Sequence, residues 1–166
     1  MKRAYLSLGS NVGDQQALIE QALARLGAEG VQVRRVSSLY RTEPVGNKAQ
    51  PWFLNCVAEI ATDLMPLQLL RRCQAVEREG GRRPGARNGP RPIDIDILLY
   101  ENAVVRSAQL TIPHAGMAER RFVLIPLREL AAHARHPVTQ RTVLEMLQET
   151  TDRCQVIRVR NESVKG

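Results

Sequence analysis

Ile93-Asp94-Ile95-Asp96-Ile97-Leu98-Leu99-Tyr100 is the stretch on which the fold turns. Its opening alternates apolar and acidic residues strictly, the two-residue period of a strand with one face buried. Gly80–Pro92 precedes it, a segment rich in glycine, proline and arginine that reads as a loop. Before that loop, Pro66 suits the first position of a helix, which Leu67, Leu70, Cys73, Gln74 and Glu77 continue as far as Gly80-Gly81. Leu54–Thr62 reads as a strand, Thr42–Pro51 as a loop and Val31–Tyr40 as a β-branched strand. At the N-terminus, Lys2–Leu8 alternates as a first strand, and Gly9-Ser10-Asn11-Val12-Gly13 makes a turn. Asp14 then caps a helix carrying Ala17, Leu18, Ala22, Leu23 and Leu26 that stops at Gly27 or Gly30.

The resulting order, β-α-β-β-α-β through Tyr100, is the split-βαβ or ferredoxin-like pattern, an α+β fold whose antiparallel sheet carries both helices on one face. Beyond Ser107 the sequence predicts additional C-terminal helices and strands. These are a short Leu110–Pro113 segment, Met117–Arg121, a helical Leu127–Ala134, a helix over Thr142–Thr150 and an edge strand over Gln155–Arg160. No repeat or linker divides the chain, so residues 1–166 are expected to form a single domain.

Composition removes several function classes. With 43% hydrophobic and 25% charged residues the chain is too apolar to be disordered, and its apolar runs are far too short for a membrane span. The N-terminus lacks the apolar core of a signal peptide, so a cytoplasmic location is expected. Cys56, Cys73 and Cys154 are too scattered for a disulfide scaffold or a zinc site. The net charge of +7 comes almost wholly from arginine, since only Lys2, Lys48 and Lys165 are lysines. A basic balance points to an anionic partner, and arginine suits bidentate recognition of phosphate. Tyr5, Tyr40, Trp52, Phe53, Tyr100 and Phe122 are too few aromatics for the stacking platforms of a nucleic-acid binder, so neither nucleic acid nor membrane is expected as a partner.

Asp94 and Asp96 carry the sharpest chemical signal. At strand spacing their carboxylates share a face, where two anions repel by a few kcal/mol at an effective dielectric of about 20. A cation between them removes that cost. Oxygen donors without nearby histidine or cysteine favour Mg²⁺, usually held by one or two carboxylates plus substrate phosphates. Arg82, Arg83, Arg87 and Arg91 lie in the loop leading into the pair, the parts of a clamp for a metal–polyphosphate. No GxxxxGK[ST] motif is present. Phe53 and Phe122 sit at loop edges, either as two walls of a slot for a flat ring or as caps on the core. His114 could donate to a phosphate or serve the structure alone, and spacing makes Glu77 a helix-surface acid.

Arg87, Asn88 and Gly89-Pro90-Arg91-Pro92-Ile93-Asp94-Ile95-Asp96-Ile97-Leu98 resemble the signature of the 6-hydroxymethyl-7,8-dihydropterin pyrophosphokinase family of folate biosynthesis. The resemblance extends to Leu8-Gly9-Ser10-Asn11, Ser37–Thr42, Gln50–Asn55, Glu77, Gly81-Arg82, Ile112-Pro113-His114 and Arg120–Leu124. It implies an ATP-dependent transfer of pyrophosphate to the pterin hydroxymethyl oxygen, with release of AMP. Asp94 and Asp96 would hold two Mg²⁺ ions, and Arg82, Arg83, Arg91, His114 and Arg120 would contact phosphates. Phe53 and Phe122 would sandwich the pterin, whose polar edge Thr42, Asn55 and the backbone of Val45 would read. Gln74, Glu77, Ile97 and Thr111 would surround the nucleoside. ATP and 6-hydroxymethyl-7,8-dihydropterin are thus the expected substrates of an enzyme expected to be a monomer. The chain departs from the family pattern at Glu43, Phe53, Asn88 and Ala115. Two other readings are a degenerate paralogue that binds ATP or pterin and a ferredoxin-like RNA-binding module.

Overall fold

A computed structural model describes residues 1–28, 30–46, 49–81 and 92–159. In chain order it contains β1 (Lys2–Ser10), α1 (Gln15–Leu26), β2 (Val31–Val36), β3 (Tyr40–Thr42), β4 (Phe53–Thr62), α2 (Pro66–Glu79) and β5 (Asp94–Tyr100). A small ribbon, β6 (Val105–Arg106) with β7 (Thr111–Ile112), leads to a 3₁₀ turn at Met117–Glu119. The chain continues through α3 (Arg121–Ala131), α4 (Val143–Glu149) and β8 (Val156–Arg158).

The helix boundaries follow from their caps. The Asp14 carboxylate accepts the Ala17 N–H at 3.2 Å to start α1, which closes at Gly27. Pro66 opens α2, where the Gln68 side chain accepts the Met65 N–H at 2.8 Å. Gly80 closes α2 at a point where Ile93 presses against the backbone. A Cβ there would lie 2.7 Å from Ile93 Cγ2, so glycine lets the start of β5 pack on the helix end.

The main sheet runs β5-β1-β4-β3-β8, with β2 also pairing β4, and its paired strands are antiparallel. The crossover through α1 leads from β1 to β2 past β4, and the crossover through α2 leads from β4 to β5 past β1. This interleaving is what the β-α-β-β-α-β order calls for. Ala4, Leu6, Leu8, Leu54, Cys56, Ala58, Ile60, Ile95 and Ile97 project to one face and bury against α1 and α2 through Ile19, Leu26, Leu69, Cys73 and Val76. Tyr5, Val57, Leu98 and Leu99 belong to the other face, which Val123, Leu124, Leu127, Val143 and Met146 of α3 and α4 cover. A register shift pairs Tyr5 with Leu99 and Leu6 with Ile97, so Leu98 is an extra residue. This bulge lets Leu98 and Leu99 enter the same apolar layer.

Several boundaries differ from the sequence reading, most of them by one to three residues at an element's end. The expected Val31–Tyr40 strand breaks after Val36, because four steps from Val36 to Tyr40 oppose three from Ala58 to Asn55 on β4. Ser37 absorbs the surplus. Its N–H donates to the Val57 carbonyl at 2.9 Å, and its hydroxyl accepts the Val57 N–H at 2.9 Å. Helix α3 begins at Arg121 rather than Leu127. Pro126 lies inside it and leaves the Phe122 carbonyl without a helical donor, a loss that burial of Val123, Leu124, Pro126 and Leu127 outweighs. Gly9 and Ser10 belong to β1 rather than to the turn.

The tyrosine hydroxyls tie Tyr5 to its cross-strand partner and Tyr40 and Tyr100 to residues outside the sheet. Tyr5 donates to Glu59 Oε1 at 3.1 Å, Tyr40 donates to Glu129, and Tyr100 donates to the Leu64 carbonyl at 2.7 Å. Burial first, and for Tyr5 and Tyr40 the neighbouring carboxylate next, raises all three phenols above the ordinary value, Tyr40 to about 12. In an alkaline titration the native protein is expected to form tyrosinate at higher pH than the unfolded chain. This stabilisation is complete below about pH 10, where the unfolded phenols ionise, and is lost as the pH rises through the native values. Absorbance titration of native and urea-unfolded protein checks it, and coincident curves would contradict it.

Candidate active site

A pocket of about 240 Å³ opens where β1, β3, β4 and β5 present polar residues on the face that α3 covers further along. That volume lies just below the roughly 300–1,000 Å³ usual for ligand sites. Antiparallel register sets its floor. Gly9 pairs with Asp94 on one side and Asn55 on the other, Ser7 pairs with Asp96, and Thr42 pairs with Phe53. Because side chains alternate, Ser7, Gly9, Phe53, Asn55, Asp94 and Asp96 all face the pocket while their neighbours enter the apolar layer beneath. Glu43, Val45 and Gln50 from the β3–β4 connection, with Arg120 and Phe122 from the start of α3, complete the lining.

The polar contacts are ordered by close packing. Thr42 and Asn55 are both buried, and Asn55 Nδ2 donates to Thr42 Oγ1. That bond lays the Asn55 amide across Gly9, where an added Cβ would stand 2.4 Å from Asn55 Oδ1. Arg120 holds its guanidinium 5.7 Å from the centroid of the Phe122 ring, a cation–π arrangement that places positive charge at the rim. Asn11, itself buried, donates through Nδ2 to Gln50 Oε1 at 3.0 Å and so anchors the β3–β4 connection to the end of β1. The Asp96 side chain is 43% exposed, leaving room for a ligand against its oxygens.

His114 stands just outside the lining. Its Nδ1 accepts the Gly116 N–H at 3.2 Å, which places the proton of the neutral ring on Nε2, 3.8 Å from Asp96 Oδ1. Glu77 is not the surface acid that spacing suggests. It is buried on α2, and its Oε2 accepts the Ile95 N–H at 2.8 Å, fixing the outer edge of β5 between the two aspartates. Ile97 points into the core beneath the sheet, and Gln74 and Thr111 are exposed. None of these four joins the pocket lining. Arg82, Arg83, Arg87, Asn88 and Arg91 lie outside the described residues. Ser7, Gly9, Glu43 and Gln50 are lining residues that the sequence reading did not assign. Ser7 was accessible through the pairing of β1 with β5, whereas Glu43 and Gln50 arrive by a loop path that carries no periodic signal.

Fold and site together define an α+β protein with an acid-floored, arginine-rimmed pocket lined by two phenylalanines. The family model of 7,8-dihydro-6-hydroxymethylpterin-pyrophosphokinase (HPPK) matches residues 5–132, and the chain belongs to that family. It is 48% identical over 132 residues to the 2-amino-4-hydroxy-6-hydroxymethyldihydropteridine pyrophosphokinase of Methylorubrum extorquens, covering 79% of this chain and 84% of that protein. The protein of the same name from Bacillus subtilis is 44% identical over 137 residues, covering 82% of each. The folic acid synthesis protein fol1 of Schizosaccharomyces pombe is 50% identical over 147 residues, 88% of this chain, yet the chain spans only 20% of its length. Among solved structures, Plasmodium falciparum HPPK-DHPS with pteroate superposes with a TM-score of 0.71 at 15% identity, covering 89% of this chain and 44% of that one. An HPPK-DHPS in complex with substrates gives 0.68 at 14% identity, with 89% and 43% covered. At such identities the two structures show the shared fold.

Replacing Gly9 by alanine is expected to push the Asn55 amide off Thr42 and cost about 1–3 kcal/mol, the usual range for overpacking. Urea denaturation measures the loss, and a crystal structure of the variant locates Asn55. An unmoved amide with unchanged stability would contradict the assignment of Gly9 as the space the amide needs.

Proposed function

We propose that this chain, as one pyrophosphokinase domain, transfers pyrophosphate from ATP to the hydroxymethyl oxygen of 6-hydroxymethyl-7,8-dihydropterin and releases AMP. The observation that carries the reading is the joint presence of Asp94, Asp96, Phe53, Phe122 and the Thr42–Asn55 pair around one pocket. Family membership and the two relatives named as pyrophosphokinases support it.

The donor set fits Mg²⁺. Asp94 and Asp96 offer hard oxygens on one strand face, and no cysteine lines the pocket. An Mg²⁺ ion held by two carboxylates would take its remaining ligands from water and phosphate. Bound at these carboxylates, Mg²⁺ would neutralise phosphate charge and leave phosphorus open to attack by the pterin hydroxyl.

The chain's own residues divide the remaining work. Phe53 and Phe122 offer flat apolar surface for the ring, and Thr42 and Asn55 offer hydrogen-bonding groups to its edge. Val45 also lines the pocket, and its backbone would read the same edge of the ring. Arg120, and His114 through Nε2–H, would meet phosphate oxygens, as would Arg82, Arg83 and Arg91. Gln74, Glu77, Ile97 and Thr111 would lie around the nucleoside. Ile97 can take part through its backbone, since its side chain is buried, and Glu77 acts by holding β5. Holding the hydroxyl and the β-phosphorus in line is the main catalytic gain such a site offers.

A mixture of protein, ATP, Mg²⁺ and the pterin is expected to yield AMP, detected by chromatography. Asp94→Ala and Asp96→Ala are each expected to lower turnover by at least about 10²-fold without lowering the melting temperature, because each relieves repulsion between like charges. Formation of ADP, or undiminished turnover in both variants, would overturn the reading.

A further inference from the structure

The residues bordering the two pocket walls are joined by a short piece of the C-terminal chain. Thr150 donates its hydroxyl to the Glu119 carbonyl at 2.8 Å. Two residues on, Asp152 Oδ2 accepts the N–H of Arg121 at 2.9 Å, and its Oδ1 accepts the Cys154 N–H at 2.9 Å. Arg121 returns a bond from Nε to the Cys154 carbonyl at 3.3 Å. Glu119 and Arg121 thus face this segment, while the intervening Arg120 and the following Phe122 face the pocket. The first N–H of α3 has no local side-chain cap, and the remote Asp152 carboxylate serves instead.

Gln155, three residues further, reaches the opposite wall. Its N–H donates to Glu43 Oε1 at 2.6 Å, and its carbonyl accepts the Glu43 N–H at 3.2 Å. From there Val156, Ile157 and Arg158 pair with Thr42, Arg41 and Tyr40. Helix α3 is pinned at its far end by Glu129, which accepts from Tyr40 and from the Ser38 N–H at 3.1 Å. The near end, where Phe122 sits, is joined to β3 through residues 152–155.

We propose that the segment from Asp152 to Gln155 is a strap that sets the separation of the Phe122 and Thr42–Val45 walls, with Glu43 and Asp152 as positioning residues for the ring-bearing substrate. The proposal rests on the pocket being the pterin site. The strap touches the ring walls and not the aspartate pair, so slackening it widens the ring slot and reaches the nucleotide side only through Arg120, which stands between its two anchor points Glu119 and Arg121.

Steady-state kinetics on the full chain tests this with four variants. Glu43→Ala and Asp152→Ala are each expected to raise the KM for the pterin roughly tenfold, the scale of one lost charge-assisted hydrogen bond, and the KM for ATP by less than about threefold through Arg120. Glu43→Gln keeps an oxygen for the Gln155 N–H and is expected to restore near-wild-type values. Glu145→Ala removes the capping box of α4. It is expected to lower the melting temperature while leaving both KM values unchanged. Pterin uptake by the wild-type protein, followed by fluorescence with Mg²⁺ and a non-hydrolysable ATP analogue, is measured alongside. If the wild type takes up no pterin, the reading of the pocket fails and the strap falls with it. If it binds pterin but the alanine variants match it, or their two KM values rise by the same factor, or Glu145→Ala reproduces their effect, the strap alone is overturned. Should Asp152→Ala fail to fold, Glu43→Ala decides, because the main-chain pairing of β3 with β8 survives that change.

Discussion

The two-residue period of β5 is the constraint from which the rest of the molecule follows. Ile95 and Ile97 must enter the apolar layer under α1 and α2, and this obliges Asp94 and Asp96 to face the opposite side together. Without interruption that parity would continue and send Leu99 to the wrong layer. The extra residue at Leu98 reverses it, so a single strand supplies carboxylates at one end and core leucines at the other. Glu77 completes the arrangement from below by accepting the Ile95 N–H, which β1 leaves to the open edge. The repulsion between neighbouring carboxylates is tolerated because both flanking isoleucines are buried, and moving either aspartate would lift an isoleucine into water.

How much of this was legible beforehand depends on whether the signal was local. Strands β1, β4 and β5 and helices α1 and α2 were readable from alternation, helical spacing and end residues, because each buries one continuous face. The break after Val36 was not, since it arises from a mismatch with β4 that Ser37 repairs and no periodicity records. Helix α3 was foreseen six residues late because Pro126 signals an end, whereas packing on the sheet overrides that preference. At the site, the aspartate pair and the phenylalanines were visible from their spacing and loop-edge positions. Glu43 and Gln50 were not, as they reach the pocket through the path of the β3–β4 connection. Glu77 was misread from helix spacing because its burial depends on β5, a partner eighteen residues away in sequence.

The arginine excess also takes on a different meaning. A basic composition suggests a surface for large anions, yet several arginines serve the chain itself. Arg72 donates to the Arg25 carbonyl at the end of α1, Arg35 bridges Glu59 and the Leu130 carbonyl, and Arg141 pairs with Glu149. Arg135 and Arg121 likewise donate to backbone carbonyls. Guanidinium groups here tie ends of elements together, a task their several donors suit. Arg120, stacked over Phe122 at the mouth of the pocket, stands apart from that pattern.

The three thiols are unequal in chemical character. Burial pushes Cys56 and Cys73 up to about 12, so both remain protonated and shielded beneath the sheet. Cys154 lies partly open, between Asp152 and Gln155. A maleimide dye offered to the native protein would therefore attach at one place, beside the cavity mouth, without any engineered cysteine. The molecule carries its own labelling point for optical measurements of ligand arrival.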